Sequence, residues 1–150
     1  MDTDTLNHVL FRNPYTRDYF IGTFPACARA TIRSRKNIYG FITNTENHDE
    51  SGNHWCGWWI EDRCAIFFDS FGRPPTHHTL PNDFSKLSKR FKSCTYVDRP
   101  VQLPGSTTCG HFCADFIYQM SYGTSLKDFL SKYKHIANND ELVRTYFEAI

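Results

Sequence analysis

Four side chains of this sequence could together perform acyl transfer through a thiol. Cys109 stands before a run of apolar residues at helical spacing, and His54, Asp69 and Gln102 lie upstream of it. Such chemistry needs a nucleophile, a general base, a group that orients the base, and a hydrogen-bond donor for the oxyanion. A thiol, an imidazole, a carboxylate and a carboxamide can fill these roles, so the residue types predict a cysteine protease.

The predicted position of Cys109 suits a nucleophile. The apolar stripe predicts a helix with Thr107 or Thr108 as its N-cap and Gly123 as its stop; its members are Phe112, Cys113, Phe116, Ile117 and Met120. A helix N-terminus and a neighbouring imidazolium both stabilise a thiolate. The alternative is a buried thiol that only packs, and for Cys109 taken alone this is the commoner case.

Two aromatic-rich runs, Trp55–Ile60 and Cys64–Phe68, predict a β-hairpin with a short loop. Both of its faces are apolar, which predicts a sheet covered on both sides. A loop of two or four residues would pair His54 directly with Asp69, with Cβ atoms about 5 Å apart. A carboxylate opposite an imidazole fixes its tautomer. Taken separately, however, a histidine at a strand end and an aspartate in a turn are both ordinary.

Gln102 is the candidate oxyanion donor. It precedes Leu-Pro-Gly-Ser, a segment that would turn into the Cys109 helix. Its side-chain amide and the backbone N–H of Cys109 could then point into the same space and form an oxyanion hole. From spacing alone, a surface glutamine would be the preferred interpretation.

Metal binding is a competing hypothesis, in which the chain is a catalytically silent metal-binding or protein-binding module. No Cys-x-x-Cys pair is present, and the cysteine spacings lack the tight knuckle of structural zinc sites. We therefore predict no metal. The side chains considered for this role are Cys56, Cys64, Cys109, Cys113, His77, His78 and His111.

Length and charge limit the remaining choices. A chain of 150 residues with 16% aromatic residues fits one domain, residues 1–150, with an ample core. Lys+Arg 17 against Asp+Glu 16 argues against a partner captured by bulk charge, such as nucleic acid or an anionic membrane. The acidic N-terminus lacks a secretory signal, and no apolar run approaches the ~18 residues of a membrane span. We expect a soluble monomer that is not secreted, with its six cysteines reduced.

The other predicted elements place the chain in the α+β class. They are a helix at 3–10, a strand at Ile38–Thr43, a loop from Asn44 to Asn53, a helix after Asn82, a strand at Cys94–Val97, a helix around Leu126–Tyr133, and a last helix that follows Asp140.

The residues above resemble those of the adenovirus-type cysteine proteases, the adenain family, and more distantly those of proteases that process ubiquitin-like proteins. Segments similar to adenain follow one another in the same order: Tyr19–Phe24, Gly40–Thr45, Asn53–Trp55, Phe68–Gly72 and Gln102–Cys113. The resemblance implies an α+β, papain-like active-site arrangement with histidine before cysteine in the chain. In such a fold a central mixed sheet is flanked by helices, and the catalytic cysteine lies at a helix N-terminus.

The resemblance also implies roles for the four residues: His54 as general base, Asp69 as its orienter, Gln102 as oxyanion donor and Cys109 as nucleophile. It implies an endopeptidase that cleaves viral precursor or capsid proteins near glycine-containing motifs during virion maturation. Such an enzyme acts in the nucleus or cytoplasm of a host cell and can be packaged in the virion. The alternative within hydrolases is a deubiquitinase-like or deSUMOylase-like isopeptidase that acts on host conjugates of ubiquitin-like proteins.

Three departures from adenain affect these implications. Asp69 stands where adenain has a glutamate, as in the proteases for ubiquitin-like proteins. The chain is shorter at its C-terminus and not notably basic, which argues against DNA as an activating cofactor. Adenain is stimulated by a peptide joined to it by a disulfide. Cys94 lies on the comparable strand, at a different distance from Gln102, and is where such a peptide would attach; no other cofactor is implied.

Overall fold

The computed structural model of this protein describes residues 1–25, 32–45, 54–77 and 83–150. Its helices are α1 (Thr3–Arg12), α2 (Asp83–Ser88), α3 (Cys109–Tyr122), α4 (Leu126–Ser131) and α5 (Ile136–Ala149), with a short 3-10 helix at Pro75–His77. Its strands are β1 (Phe20–Phe24), β2 (Ile38–Asn44), β3 (Trp55–Glu61), β4 (Cys64–Phe68) and β5 (Ser93–Tyr96). Most of the loop predicted at Asn44–Asn53, and the residues Asn53, His78 and Asn82, lie outside the described residues.

The five strands form one sheet in the order β1-β2-β3-β4-β5. The inner pairs β2–β3 and β3–β4 are antiparallel, whereas the outer pairs β1–β2 and β4–β5 are parallel. The sheet is therefore mixed, as expected. Strand β1 was not recognised as a strand from its composition.

The hairpin of β3 and β4 is closed by two residues, Asp62 and Arg63, whose φ angles are +49° and +69°. Two consecutive residues in this left-handed region form the type I′ turn that suits a tight hairpin. Asp62 is a usual residue at its first position, whereas Arg63 stands where glycine is usual. Glu61 pairs with Cys64 as a result. The predicted register, in which His54 pairs directly with Asp69, is wrong by two residues because the strands continue to the edge of this turn.

Each face of the sheet is covered by an apolar cluster. The first cluster lies between the sheet and helix α3 and includes Trp55, Trp59, Phe68, Phe112 and Phe116. The second cluster lies on the opposite face and includes Phe41, Cys56, Trp58, Ile60 and Phe67. This confirms the prediction of a sheet covered on both sides. Complete burial of one such aromatic side chain stabilises a fold by roughly 2–3 kcal/mol.

Helix α3 approaches the sheet closely because β3 carries a glycine at the contact. A Cβ atom at Gly57 would lie 2.8 Å from Cδ2 of Phe116, a separation that real Cβ atoms essentially never show. At the far end of the helix, Gly123 adopts a φ of +95° and caps α3, which confirms the predicted stop. The close contact fixes where the first residue of the helix, Cys109, lies relative to β3.

Two helix starts differ from the sequence expectations. Thr108 occupies the N-cap position of α3, yet its side chain makes no capping bond and donates to Asp140 Oδ1 instead, at 2.9 Å. Helix α5 begins at Ile136, before the polar Asn138-Asn139-Asp140 run rather than after it. Asn139 and Asp140 are buried inside this helix because their side chains bind other parts of the protein.

None of the helices in the described part of the chain combines the length and hydropathy that crossing a bilayer requires.

Candidate active site

The end of the β3–β4 hairpin opposite its turn brings His54 and Asp69 together. His54 Nε2 lies 2.8 Å from Asp69 Oδ1, and the exposed fractions of the two residues are 4% and 0%. Extending the observed register places Asp69 opposite Cys56 and Phe71 opposite His54, so the imidazole and the carboxylate meet diagonally. The register error of two residues keeps every side chain on its predicted face, because side chains alternate with a period of two. The predicted contact therefore forms despite the wrong register.

The side chain of Asp69 accepts hydrogen bonds from His54, Phe71 and Arg73. Oδ1 accepts from His54 and from the backbone N–H of Phe71, at 2.9 Å, while Oδ2 accepts from Arg73 Nε at 2.9 Å. Charge-assisted bonds of this kind are stronger than neutral ones. They hold the carboxylate in one orientation, with Oδ1 directed at the imidazole.

Phe71 and Arg73 belong to the site although sequence reasoning did not select them. The Phe71 ring stacks on the His54 imidazole with centroids 5.1 Å apart and an interplanar angle of 26°. The Arg73 guanidinium lies over the same ring, 5.0 Å from its centroid. Arg73 follows Asp69 by four residues, but it lies in a loop, where this spacing does not predict a contact. The imidazole is thereby held by a bond at its edge and a ring against its face.

Cys109 is the first residue of α3 and is 6% exposed. Burial opposes the thiolate, but hydrogen bonding to His54, the charge of His54, and the backbone N–H groups of Trp55 and Gly110 outweigh it and lower the pKa of the thiol. Burial likewise opposes the imidazolium of His54. Hydrogen bonds to Asp69 and Cys109 overcome it and raise the pKa of His54 to about 9. The opposite shifts favour a thiolate–imidazolium pair at neutral pH.

Gln102 is 1% exposed and is held at both ends of its amide. Its backbone N–H donates to Ser70 O at 3.0 Å, and its side-chain oxygen accepts from the Ser70 hydroxyl. Its side-chain nitrogen donates to Ser106 O at 3.0 Å and to Ser106 Oγ at 2.9 Å. The glutamine is thus an ordered, buried group in the loop that leads into α3, not the surface residue that spacing alone would favour.

Space beside Gly110, the residue that follows the nucleophile, is restricted. A Cβ atom on Gly110 would lie 3.3 Å from Cδ1 of Trp55 and 2.8 Å from Cγ of Met1. Trp55 Nε1 in turn donates to the backbone carbonyl of Met1 at 3.3 Å. A side chain larger than hydrogen at position 110 would push against these groups.

The metal hypothesis gains one candidate group in the described residues, and it overlaps the site. Ligand atoms of His54, Cys56 and Asp69 all lie within 4.8 Å of one another. Burial, followed by the charge of Asp69, raises the pKa of Cys56 well above its ordinary value, which disfavours the thiolate that binds a metal. No second group of three or more potential ligands comes together in the described ranges.

Cys94 lies on β5, away from the four residues of the site. It is half-buried and packs against the second cluster, and burial raises the pKa of its thiol. Attachment of a peptide at Cys94 stays a prediction.

No protein-family model and no curated protein matches the sequence. Solved structures do match the fold. The crystal structure of the ASFV pS273R protease aligns with 95% of this chain at a TM-score of 0.65 and 14% sequence identity. ChlaDub1 from Chlamydia trachomatis aligns with 77% of this chain at a TM-score of 0.55 and 13% identity.

The aligned regions cover 65% and 60% of those two chains, so this chain spans less than two thirds of either protein. Similarity at such low identity shows the fold. It confirms the predicted α+β architecture, a central mixed sheet flanked by helices, and identifies it as an architecture found in a viral protease. The closer resemblance to adenain stays a prediction.

Proposed function

We propose that this chain is a cysteine endopeptidase. The observation that supports it most directly is the 2.8 Å hydrogen bond between His54 Nε2 and Asp69 Oδ1, together with the interaction of His54 with Cys109 that shifts the pKa values of both groups. The thiol lies at a helix N-terminus, and its pKa is lowered while that of the imidazole is raised. A buried thiol that only packs, such as Cys113 with its pKa raised by burial, has none of these features.

Peptide hydrolysis would proceed through an acyl-enzyme. Because Nε2 of His54 is bound to Asp69, Nδ1 is the nitrogen that takes the thiol proton. The Cys109 sulfur then bonds to the substrate carbonyl carbon, whose π electrons move to the oxygen. The imidazolium protonates the leaving amine as the C–N bond breaks, and water hydrolyses the thioester with His54 as base.

The oxyanion would be held by the backbone N–H of Cys109 and the side-chain amide of Gln102. Each such donor can contribute about 3 kcal/mol to the transition state. Ser106 offers the amide nitrogen two acceptors, Oγ and the backbone O. One amide hydrogen can therefore turn to the oxyanion while the other keeps a partner on Ser106.

We infer that the substrate carries small residues at the cleavage point. The resemblance to adenain supports glycine-containing motifs, and with them viral precursor or capsid proteins as substrates, cleaved in the host cell or in the virion during maturation. No cofactor or metal enters this chemistry.

Replacement of the nucleophile tests the proposal. We expect Cys109→Ala to abolish cleavage without changing the thermal unfolding midpoint, because only the sulfur is lost. Cys113→Ala, one helical turn away on α3, is the matched control and retains activity if it folds. Undiminished turnover by Cys109→Ala would refute the assignment of the nucleophile.

Selective alkylation tests the thiolate independently of substrate. At neutral pH and limiting iodoacetamide, we expect Cys109 to react before Cys64, even though Cys64 is exposed and Cys109 is not. Mass spectrometry of the digested protein identifies the modified thiol. Bound zinc in stoichiometric amount, without a preferentially alkylated thiol, would instead indicate a catalytically silent metal-binding module.

A substrate panel separates the two hydrolase activities. Peptides with glycine-containing viral cleavage motifs would be compared with fusions that place ubiquitin or a ubiquitin-like protein before the scissile bond. We expect faster cleavage of the viral peptides. Faster cleavage after the Gly-Gly terminus of the fusions would assign the site to an isopeptidase acting on host conjugates.

A further inference from the structure

We propose that Asp140 is a positioning residue for the side-chain amide of Gln102, acting through Thr108 and Ser106. This inference rests on the proposed function and adds to it a residue of helix α5, which sequence reasoning did not connect with the site. Asp140 itself is not placed to touch the substrate. Its effect would be to hold the oxyanion donor in the orientation that presents N–H groups.

The observation is a continuous chain of hydrogen bonds. Thr108 Oγ1 donates to Asp140 Oδ1 at 2.9 Å, and Ser106 Oγ lies 3.1 Å from Thr108 Oγ1. Gln102 Nε2 donates to Ser106 Oγ at 2.9 Å, and the Ser70 hydroxyl donates to the oxygen of the same amide. These hydrogen bonds link the loop after β4, the loop before α3 and the second turn of α5.

The direction of each bond follows from Asp140. An ionised carboxylate can only accept, so the single hydroxyl hydrogen of Thr108 is used on Asp140. The Ser106 hydroxyl must then donate to Thr108, which leaves Ser106 Oγ as an acceptor toward Gln102. The amide therefore places its nitrogen toward Ser106 and its oxygen toward Ser70. A flipped amide would face Ser106 with an acceptor and lose the bond.

The backbone carbonyl of Ser106 favours the same orientation, since it accepts from the same nitrogen at 3.0 Å. Two independent constraints thus act on one amide. When the Gln102 amide releases the Ser106 carbonyl to bind an oxyanion, the hydrogen bonds that lead to Asp140 still fix its orientation. In a buried chain of hydrogen bonds each bond also polarises the next, which strengthens the whole set.

Burial shows that the arrangement is built into the core. Thr108 is 0% exposed and Asp140 is 7% exposed. Thr108 stands at a helix N-cap without making a capping bond. The neighbouring Asn139 donates to the backbone carbonyl of Val101 at 3.0 Å, directly before Gln102. Helix α5 therefore holds the Gln102 loop at two adjacent points.

Isosteric substitutions test the chain of bonds. Thr108→Val removes the hydroxyl while keeping the shape of the side chain, and Thr108→Ser keeps the hydroxyl. Asp140→Asn keeps the shape but lets the residue donate, which removes the fixed direction. Thr145→Val is the matched control, because the exposed Thr145 hydroxyl donates only to a backbone carbonyl of its own helix.

For Thr108→Val and Asp140→Asn we expect kcat to fall about tenfold with KM unchanged, the loss of roughly one hydrogen bond in the transition state. A peptide aldehyde, whose thiol adduct carries the oxyanion, loses affinity by a similar factor. Thr108→Ser and Thr145→Val keep the wild-type kcat. The double variant Thr108→Val/Asp140→Asn is no slower than either single variant, because the two groups act in series.

Alkylation of Cys109 by iodoacetamide forms no oxyanion and is the discriminating readout. We expect its rate to stay at the wild-type value in all four single variants. An alkylation rate that falls together with kcat would show that these hydrogen bonds support the fold or the nucleophile. An unchanged kcat would show that they do not affect catalysis. Either result overturns the proposal. A wild-type protein that neither cleaves peptides nor reacts selectively at Cys109 would instead overturn the proposed function.

Discussion

The substitution Asp69→Asn tests the electrostatics of the site. The carboxylate accepts on one oxygen from His54 and from the backbone N–H of Phe71, and on the other from Arg73. An asparagine has a single oxygen, so its NH2 group must face either His54 and Phe71 or the guanidinium, which are all donors. The variant is almost unchanged in shape, yet in either orientation it loses the negative charge that stabilises the imidazolium.

The expected magnitude follows from the pKa of His54. The structure raises it to about 9 from its ordinary value of 6.5, which corresponds to roughly 3 kcal/mol in favour of the imidazolium. Burial works in the opposite direction, and Cys109 is the other group that raises this pKa, so loss of the Asp69 charge is expected to lower the pKa of His54 toward its ordinary value. The imidazole is then neutral at pH 7, and the Cys109 thiol keeps its proton. Assigning most of the effect to Asp69 predicts a roughly 100-fold slower alkylation of Cys109 at pH 7.

The pH profiles give the sign of the effect. In the wild-type protein, peptide hydrolysis rises through the lowered pKa of Cys109 and falls as the imidazolium of His54 deprotonates near pH 9. In Asp69→Asn the falling limb moves to lower pH, and the onset of alkylation moves to higher pH. Both profiles are measured between about pH 5 and 10, a range that includes the ordinary pKa values of histidine and cysteine. Mass spectrometry identifies the modified thiol.

A second buried aspartate supplies the control. Asp115 accepts from Lys132 Nζ at 2.8 Å and from the Tyr133 hydroxyl, away from the site. We expect Asp115→Asn to lower the unfolding midpoint while leaving the pH profile of Cys109 unchanged. Identical alkylation profiles for the wild-type protein and Asp69→Asn would refute the reasoning, because the carboxylate would then have no effect on the thiolate.

Three substitutions test the architecture that holds the site. Arg63→Gly relieves a left-handed residue with φ +69° and is expected to raise the free energy of unfolding by about 1 kcal/mol, measured in urea; an unchanged midpoint would contradict the strain. Gly72 has a φ of +76°, and a Cβ there would lie only 2.7 Å from the backbone nitrogen of Pro100; Gly105 has a φ of +80° but no atom within 4 Å. Gly72→Ala is therefore expected to lower the free energy of unfolding more than Gly105→Ala. Equal losses would show that the contact with Pro100 does not matter. Phe67→Ala empties a fully buried position and is expected to cost about 3–5 kcal/mol, with a smaller loss arguing that the second cluster collapses into the cavity.

The sequence carried the information for the sheet faces and for the meeting of His54 with Asp69. Alternation along β3 and β4 assigns faces without knowledge of the exact pairing, and any even error in register preserves them. The register itself was not predictable, because Arg63 is an unusual residue for the second central position of a type I′ turn. Tertiary packing of the hairpin overrode the local preference of the turn.

The parts of the site that sequence reasoning missed are side chains reached across the fold. Arg73 binds Asp69 from a loop, where nothing in the local pattern distinguishes it from a solvated arginine. Asn139 and Asp140 resemble residues that precede a helix, because short polar side chains favour helix starts. They lie within α5 because Val101 and Thr108, more than thirty residues away, supply their partners. Contacts of this kind depend on the finished fold and leave no periodic signal.

The two halves of the site come from different elements of the fold. Cys109 is the first residue of α3, whereas His54 directly precedes β3 and binds Asp69, which directly follows β4. Cys109 and His54 therefore lie together only while α3 packs against the sheet. The contact between Gly57 of β3 and Phe116 of α3 maintains this packing. A small shift of α3 along the sheet would separate the Cys109 sulfur from His54 while the helix and the hairpin stay folded. Turnover is thus expected to vanish in mild denaturant before helical circular dichroism changes, which makes catalysis a more sensitive gauge of this interface than any measure of folding.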